Sequence, residues 1–319
     1  MSEALLSYRD FSLEFATPRG AVRALSHVSL DLHPGEIVGL VGESGSGKSV
    51  AAMTAMGLLP RGRYRVTDGS VHVLGQDVMA LSRPALEALR GAEIAIIFQE
   101  PMNALNPSIR VGDQIIAVIR RHRAIGRREA CTLAEALLGD MSITDPMAVM
   151  RLYPSALSGG MRQRVLIAMA FACDPKILIA DEPTTALDVT VQAQILDILR
   201  ERAGILGTAV LFISHDMAVV SQLCDRIYIL YAGEVVESGD TRTVLGAPRH
   251  PYTRALLAAL PDGHAPGSAL AAIGGGVPSL IDPPPGCRFQ PRCTRASDAC
   301  LVRPPLARGV ACWHPENGI

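Results

Sequence analysis

The clearest chemistry lies in eight consecutive residues, Gly42-Glu43-Ser44-Gly45-Ser46-Gly47-Lys48-Ser49, which fit G-x-x-x-x-G-K-S. Glycines let backbone N–H groups turn inward around phosphate oxygens, Lys48 reaches the terminal phosphates, and Ser49 offers its hydroxyl to Mg²⁺. A helix starting at Lys48 adds about half a positive charge at its N-terminus. A second signal is Ile177-Leu178-Ile179-Ala180-Asp181-Glu182, an apolar run ending in two carboxylates. Asp181 suits a Mg²⁺ shell, and Glu182 suits the polarisation of an attacking water. Alone, such an ending reads as a solvated acidic turn; beside a Lys48 loop it gains meaning. The third signal is Leu157-Ser158-Gly159-Gly160-Met161-Arg162-Gln163-Arg164 before helical text. Its bland reading is a helix cap, yet the Ser158 hydroxyl with the Gly159 and Gly160 amides also makes a second anion site.

These residues need an α/β scaffold. Short apolar runs, Ile37 to Val41, Ile94 to Phe98, Ile177 to Ala180 and Ala209 to Ile213, alternate with helical patterns up to about residue 240. That rhythm predicts a largely parallel sheet. Period-two alternation before residue 35 and in Ser70 to Leu74 predicts an antiparallel annex. Residues from about 108 to 172 read as a helical insertion between two strands. Pro, Gly and Ala replace the periodic pattern between Pro261 and Pro266, which divides the chain into residues 5–260 and an extension, 261–319.

The chain has 319 residues, and 30 Lys+Arg against 31 Asp+Glu give a net charge of −1. No global positive field is available for a nucleic-acid backbone. The longest clean apolar run, Val165 to Cys173, is about half of what a bilayer crossing needs. The first residues carry acids and no long apolar stretch, unlike a secretory signal, so a cytosolic protein is expected.

With these motifs in order over about residues 5 to 240, the sequence resembles the ATP-binding subunit of ABC transporters, and LSGGMRQR is the specific part. The resemblance implies a RecA-like P-loop NTPase cassette with a parallel core, antiparallel annex and helical insertion. It implies two cassettes docked head to tail, the signature loop of one closing over the ATP in the other's cradle. Further residues take roles by the same resemblance. Phe15 matches the aromatic that stacks on adenine, with an ordinary core Phe as the competing reading. Gln99 matches the glutamine that senses Mg²⁺. Ala186-Leu187-Asp188 matches the loop that communicates with the opposite site, although Asp188 also reads as a helix cap. His215 matches the switch histidine near the γ-phosphate. Hydrolysis would be in-line attack by water with Glu182 as base.

The segment His250-Pro251-Tyr252-Thr253-Arg254-Ala255-Leu256-Leu257 and the Pro-rich, cysteine-bearing tail are similar to the C-terminal extension of dipeptide and oligopeptide importer ATPases, and nickel importers share much of the layout. The motif dialect fits the first of that branch's two ATPase subunits. The resemblance therefore implies a sister ATPase subunit, two membrane permease subunits and an extracytoplasmic peptide-binding protein, with the chain at the cytoplasmic face of the membrane. A nickel or other solute importer is the alternative within the family. A soluble cassette ATPase acting on nucleic acid would bring a second cassette, a long coiled coil or a basic face, and none is visible.

Of seven cysteines, Cys131, Cys173 and Cys224 sit in apolar helical text and read as packing. The other four, Cys287, Cys293, Cys300 and Cys312, read C-x5-C-x6-C-x11-C. In a reducing cytosol such clustering points to metal ligation. Zinc sites usually use closely spaced C-x2–4-C pairs, whereas four-thiolate iron–sulfur sites tolerate irregular spacing. Relatives with this pattern are associated with a 4Fe-4S cluster, which ranks first, with zinc second and unligated thiols third. The expected role is structural, because from Pro283 onward there is too little aliphatic mass for an independent core. A redox sensor gating the ATPase is the competing reading.

Overall fold

A computed structural model describes residues 3–99, 104–185, 187–259 and 273–316. In chain order its elements begin with β1 (Leu6–Thr17), β2 (Gly20–Leu32), β3 (Ile37–Val41), α1 (Lys48–Ala55), β4 (Tyr64–Val73) and β5 (Gln76–Asp77). There follow α2 (Arg83–Leu89), β6 (Ile94–Ile97), α3 (Val111–His122), α4 (Arg127–Asp140), α5 (Pro146–Arg151) and α6 (Gly159–Ala170). Alternation resumes with β7 (Ile177–Asp181), α7 (Val189–Leu206), β8 (Ala209–Ser214), α8 (Met217–Leu223), β9 (Arg226–Tyr231) and β10 (Glu234–Asp240). Helices α9 (Thr241–Gly246) and α10 (Pro251–Ala258) and three short 3₁₀ turns, Pro154–Ala156 before α6 and Gln290–Arg292 and Asp298–Leu301 near the C-terminus, complete the series. The segment Pro261 to Pro266, read as a boundary, lies outside the described residues, as do 100–103 and 186.

The chain packs as two compact units. One comprises Met1–Leu5, His33–Glu36 and Ala80–Leu211. In it, β6 and β7 pair in parallel with Ile97 opposite Ala180, and the Ala209 N–H donates to Lys176 O at 2.9 Å where β8 begins. Every residue of β7 is buried, as expected of a central parallel strand covered on both faces. The helical insertion is built from α3 to α6. In α3, Val111, Ile115, Ile116 and Ile119 form the buried stripe, Asp113 sits in the first turn, and Arg120, Arg121 and His122 in the last, so the charges match the helix dipole. Asp145 caps α5 by accepting from the Ala148 N–H at 2.9 Å, with Pro146 at its first position.

The other unit comprises Leu6–Leu32, Ile37–Met79 and Phe212–Ile319. The antiparallel annex that the period-two alternation predicts is present, with strand order β2-β1-β4-β5. The expected Ser70–Leu74 strand is longer in the structure and begins at Tyr64, because Tyr64–Asp68 pair with β1, with Tyr64 and Val66 half-buried and Arg65 and Thr67 exposed. The unit also holds β3 and β9 in parallel and β10 antiparallel to β9. The C-terminal segment lies along β10. Ser238 N–H donates to Gly309 O at 2.7 Å and Ala311 N–H to Val236 O at 2.8 Å, so the extension covers an edge that would otherwise present open backbone groups.

Candidate nucleotide and sulfur sites

The cradle connects the buried strand β3 to α1. Gly42 has no room for a side chain, since a Cβ there would lie 2.0 Å from Leu230 O. Gly47 adopts φ +107 and a Cβ would meet Ala24 O at 2.7 Å, so glycine is required by conformation and by space. Within the loop the Ser46 N–H donates to Glu43 O at 3.2 Å, and the Gly233 N–H donates to Ser46 O at 2.8 Å. Lys48 is buried, and its ammonium donates to Gly42 O at 2.7 Å and Glu43 O at 3.0 Å. The Ser46 hydroxyl is buried with no hydrogen-bond partner among the described residues. A buried, unsatisfied hydroxyl beside an ammonium and a helix N-terminus is what a phosphate site presents, and the residues present fit a nucleotide phosphate. Ser44, Gly45 and Ser49 are exposed on the same loop.

In the same unit, Phe15 lies half-buried on β1, opposite Val22 of β2 and Tyr64 of β4. His215 is exposed directly after β8, where Asp216 caps α8 by accepting from Ala218 N–H at 2.9 Å.

In the other unit the parallel register of β6 and β7 carries Gln99 alongside the residue after Asp181. Gln99 Nε2 donates to Glu182 Oε2 at 2.9 Å, and Thr185 Oγ1 donates to the same oxygen at 3.1 Å. Glu182 itself adopts φ +47, a left-handed conformation that non-glycine residues hold only where the surroundings impose it. Strain and two donors thus aim one carboxylate. Thr185 is the member of this group that motif reading passed over; it stands one turn beyond Glu182 in Glu182-Pro183-Thr184-Thr185, and only the turn geometry reveals its bond. Asp181 is buried at the end of β7.

The structure also brings two distant motifs together in this unit. Ser158 Oγ accepts from the Met161 N–H at 3.3 Å and caps α6, while Ser158 and Gly159 remain exposed at the helix N-terminus. A Cβ on Gly160 would lie 2.8 Å from Val191 Cγ1, and one on Gly159 would lie 3.6 Å from Leu187 Cδ2. Asp188 caps α7 through Val191 N–H at 3.0 Å. The Ser-Gly-Gly turn is therefore seated on the start of α7, and both readings of Ser158 and Asp188 as caps are geometrically correct.

The four C-terminal cysteines line one cavity together with His250, Phe289 and Trp313. All are free thiols, Cys300 buried and the others half-buried. Burial pushes the Cys287 thiol up to about 11, and the sulfurs of Cys300, Cys312 and Cys293 push the same way. Burial raises Cys293 and Cys312 as well. Four thiols around one cavity are a donor set that fits a thiophilic metal centre, whose charge would displace the protons. Among the described residues, the group of three metal-capable side chains with ligand atoms within 4.8 Å of one another is the exposed Asp10, His27 and Asp68, so no three of these sulfurs are that close. A single zinc at about 2.3 Å from each sulfur would require them nearer together.

What anchors this segment is not apolar mass. Arg288, 5% exposed, donates to Ala232 O and to Ser26 Oγ at 2.6 Å, and its Nε lies 3.5 Å from Glu234 Oε1. Arg303 pairs with the same carboxylate at 3.2 Å. Phe289 packs edge-on against Tyr231 at 5.2 Å and tilted against Tyr252 at 5.4 Å.

A Lys-bearing glycine loop on one strand and an acid pair closing another define a nucleoside-triphosphatase of the P-loop class. Comparison with known proteins narrows this. Residues 25–185 match the ABC transporter family, and residues 236–300 match the oligopeptide/dipeptide transporter C-terminal region. The probable D,D-dipeptide transport ATP-binding protein DdpD of Escherichia coli is 53% identical over 100% of this chain and 99% of its own. The oligopeptide transport ATP-binding protein OppD of the same organism is 44% identical over 98% of this chain and 94% of its own. Among solved structures, the dimeric post-hydrolysis state of the ATP-binding cassette MJ0796, bound to ADP and Pi, matches with a TM-score of 0.66 and 28% identity, over 74% of this chain and 99% of that one. The chain belongs to the ABC transporter ATP-binding family and carries that family's oligopeptide/dipeptide-type C-terminal region.

Proposed function

We propose that this ATPase energises import of dipeptides or oligopeptides, as the first of two ATPase subunits serving a pair of membrane permeases and an extracytoplasmic peptide-binding protein. The observation that carries the reading is the peptide-type region at 236–300 on a full-length ABC match to peptide-transport ATP-binding proteins. The chain would act as a peripheral subunit at the cytoplasmic face, and no described helix is long and apolar enough to cross a membrane. Docking to permeases is supported by the insertion, where Ile109, Met147, Leu152 and Tyr153 are exposed. Nearby, Ile116, Met147, Met150, Arg110, Arg127 and Arg151 line a cavity of about 230 Å³.

In this reading Lys48 and the loop amides from Gly42 to Ser49 bind the ATP phosphates, Phe15 stacks on adenine, and His215 contacts the γ-phosphate. Ser49, Gln99 and Asp181 would hold Mg²⁺, which supplies charge neutralisation at the phosphates when bound. Glu182, fixed by Gln99 and Thr185, takes the proton from the attacking water. Ser158, Gly159 and Gly160 present donors to the ATP of a partner cassette, with Asp188 placed at the same surface. Cys287, Cys293, Cys300 and Cys312 hold a 4Fe-4S cluster, with zinc as the alternative, and its contribution is to pin the tail.

Removing a general base costs on the order of 10² to 10⁴ in rate. Glu182→Gln is therefore expected to bind ATP and lose phosphate release by that factor in the reconstituted transporter. Wild-type turnover would reject the role of Glu182. Copurification from membranes identifies the permeases; a complex whose ATPase is stimulated by a nickel-loaded binding protein and not by a peptide-loaded one would replace the substrate.

A further inference from the structure

Glu43, the second residue of the cradle, is gripped by the C-terminal part of the chain. Its N–H donates to the Tyr252 hydroxyl at 3.0 Å. Its carboxylate accepts from Arg292 Nη1 at 2.8 Å and Nη2 at 3.3 Å, a two-pronged contact across 249 residues of sequence. The Arg292 side chain is only 5% exposed, so this pair is more shielded from water than a surface ion pair. Arg292 is fixed in turn by the Tyr231 hydroxyl at 3.2 Å and by the carbonyls of Gly274 at 2.9 Å and Ile273 at 3.3 Å. Tyr231 and Tyr252 pack at 4.5 Å, and Phe289 closes the cluster. The Lys48 ammonium sits on the carbonyl of the same Glu43.

We propose that Arg292 and Tyr252 are positioning residues for the phosphate cradle: the C-terminal segment straps Glu43 from both its amide and its carboxylate, so that the loop is ordered before ATP arrives. The inference rests on the reading of residues 42–49 as the ATP phosphate site. A loop that must order on binding loses affinity by the cost of that ordering, whereas one held in advance does not. The loss on release of the strap therefore falls on ATP affinity more than on the chemical step. Arg292 ends the 3₁₀ turn Gln290–Arg292 and directly precedes Cys293, one of the residues lining the sulfur cavity.

The test is a double-mutant cycle in the assembled transporter, with Arg292→Gln, Glu43→Gln and the pair, read by ATP dissociation constant and by amide exchange over residues 42–48. Each single is expected to weaken ATP binding about tenfold, with faster exchange in the loop, and the double no more than the worse single. Arg292→Lys should recover part of the loss. Tyr252→Phe keeps the ring and removes only the acceptor for the Glu43 amide, and should cost about threefold even if Arg292→Gln fails to assemble. Unchanged affinity and exchange in Arg292→Gln and Tyr252→Phe, or losses that add in the double, would overturn the strap. Lys48→Ala runs beside them: undiminished ATP binding there would mean that the loop itself has been misread, which is a separate failure.

Discussion

The phosphate cradle and the sulfur-lined cavity belong to the same unit and are built on opposite plans. The cradle is backbone: eight contiguous residues whose glycines permit the turn, between a buried strand and a helix. The cavity is side chain: four cysteines spread over 26 residues, from 287 to 312, in a segment whose regular structure amounts to two 3₁₀ turns. A site made of backbone is specified by local conformation. A site made of side chains depends on whatever holds the loops, which here is a few buried polar bonds and aromatic contacts.

The comparison can be broken where it predicts most. If the proposed metal is held there, Cys300→Ser, at the most buried of the four cysteines, should empty the site; structural metals contribute on the order of 10 kcal/mol, so residues 273–316 should become protease-sensitive while residues 25–185 stay resistant. Metal analysis of the purified wild-type complex that finds neither metal would remove the contrast altogether. Gly42→Ala attacks the backbone plan, because its methyl would fall 2.0 Å from Leu230 O. A cost of about 4 kcal/mol to folding and loss of ATP binding are expected by denaturant titration and nucleotide binding. A variant that binds ATP normally would show the loop to be more compliant than its geometry.

Smaller effects sharpen the picture. Arg288→Met removes a buried guanidinium that serves Ala232, Ser26 and Glu234, leaving Arg303 to neutralise the carboxylate alone. The expected loss is about 3 kcal/mol in unfolding free energy, and a loss within about 0.5 kcal/mol would show that the aromatic cluster suffices. Tyr8→Phe deletes the bond from the buried Tyr8 hydroxyl to Ala51 O under the cradle helix. It should cost about 1 kcal/mol and leave metal content unchanged.

Much of the nucleotide machinery was readable because each motif is short and local. Gly42 to Ser49, Asp181 with Glu182, and Ser158 to Gly160 each state their chemistry within a few residues, and the strand and helix patterns around them follow apolar periodicity. Packing within one unit added how they are held: the parallel register that brings Gln99 to Glu182, the Thr185 bond, and the contact of Gly160 with Val191. The longer course of β4 was not read because the alternation of Tyr64 to Thr67 is interrupted by Asp68 and Gly69, and the pairing that continues the strand past them is with β1, far away in sequence.

Sequence alone determined the phosphate loop, the acid-ended strand, the helix-capping signature and the presence of four thiols without a core to hold them, since those depend on residue type and local spacing. Tertiary structure decided that the thiols share one cavity, that Arg288 anchors the tail on a buried carboxylate, and that Arg292 reaches Glu43. No periodicity encodes a contact across 249 residues, because such a pair is fixed only when the strands and loops between have folded.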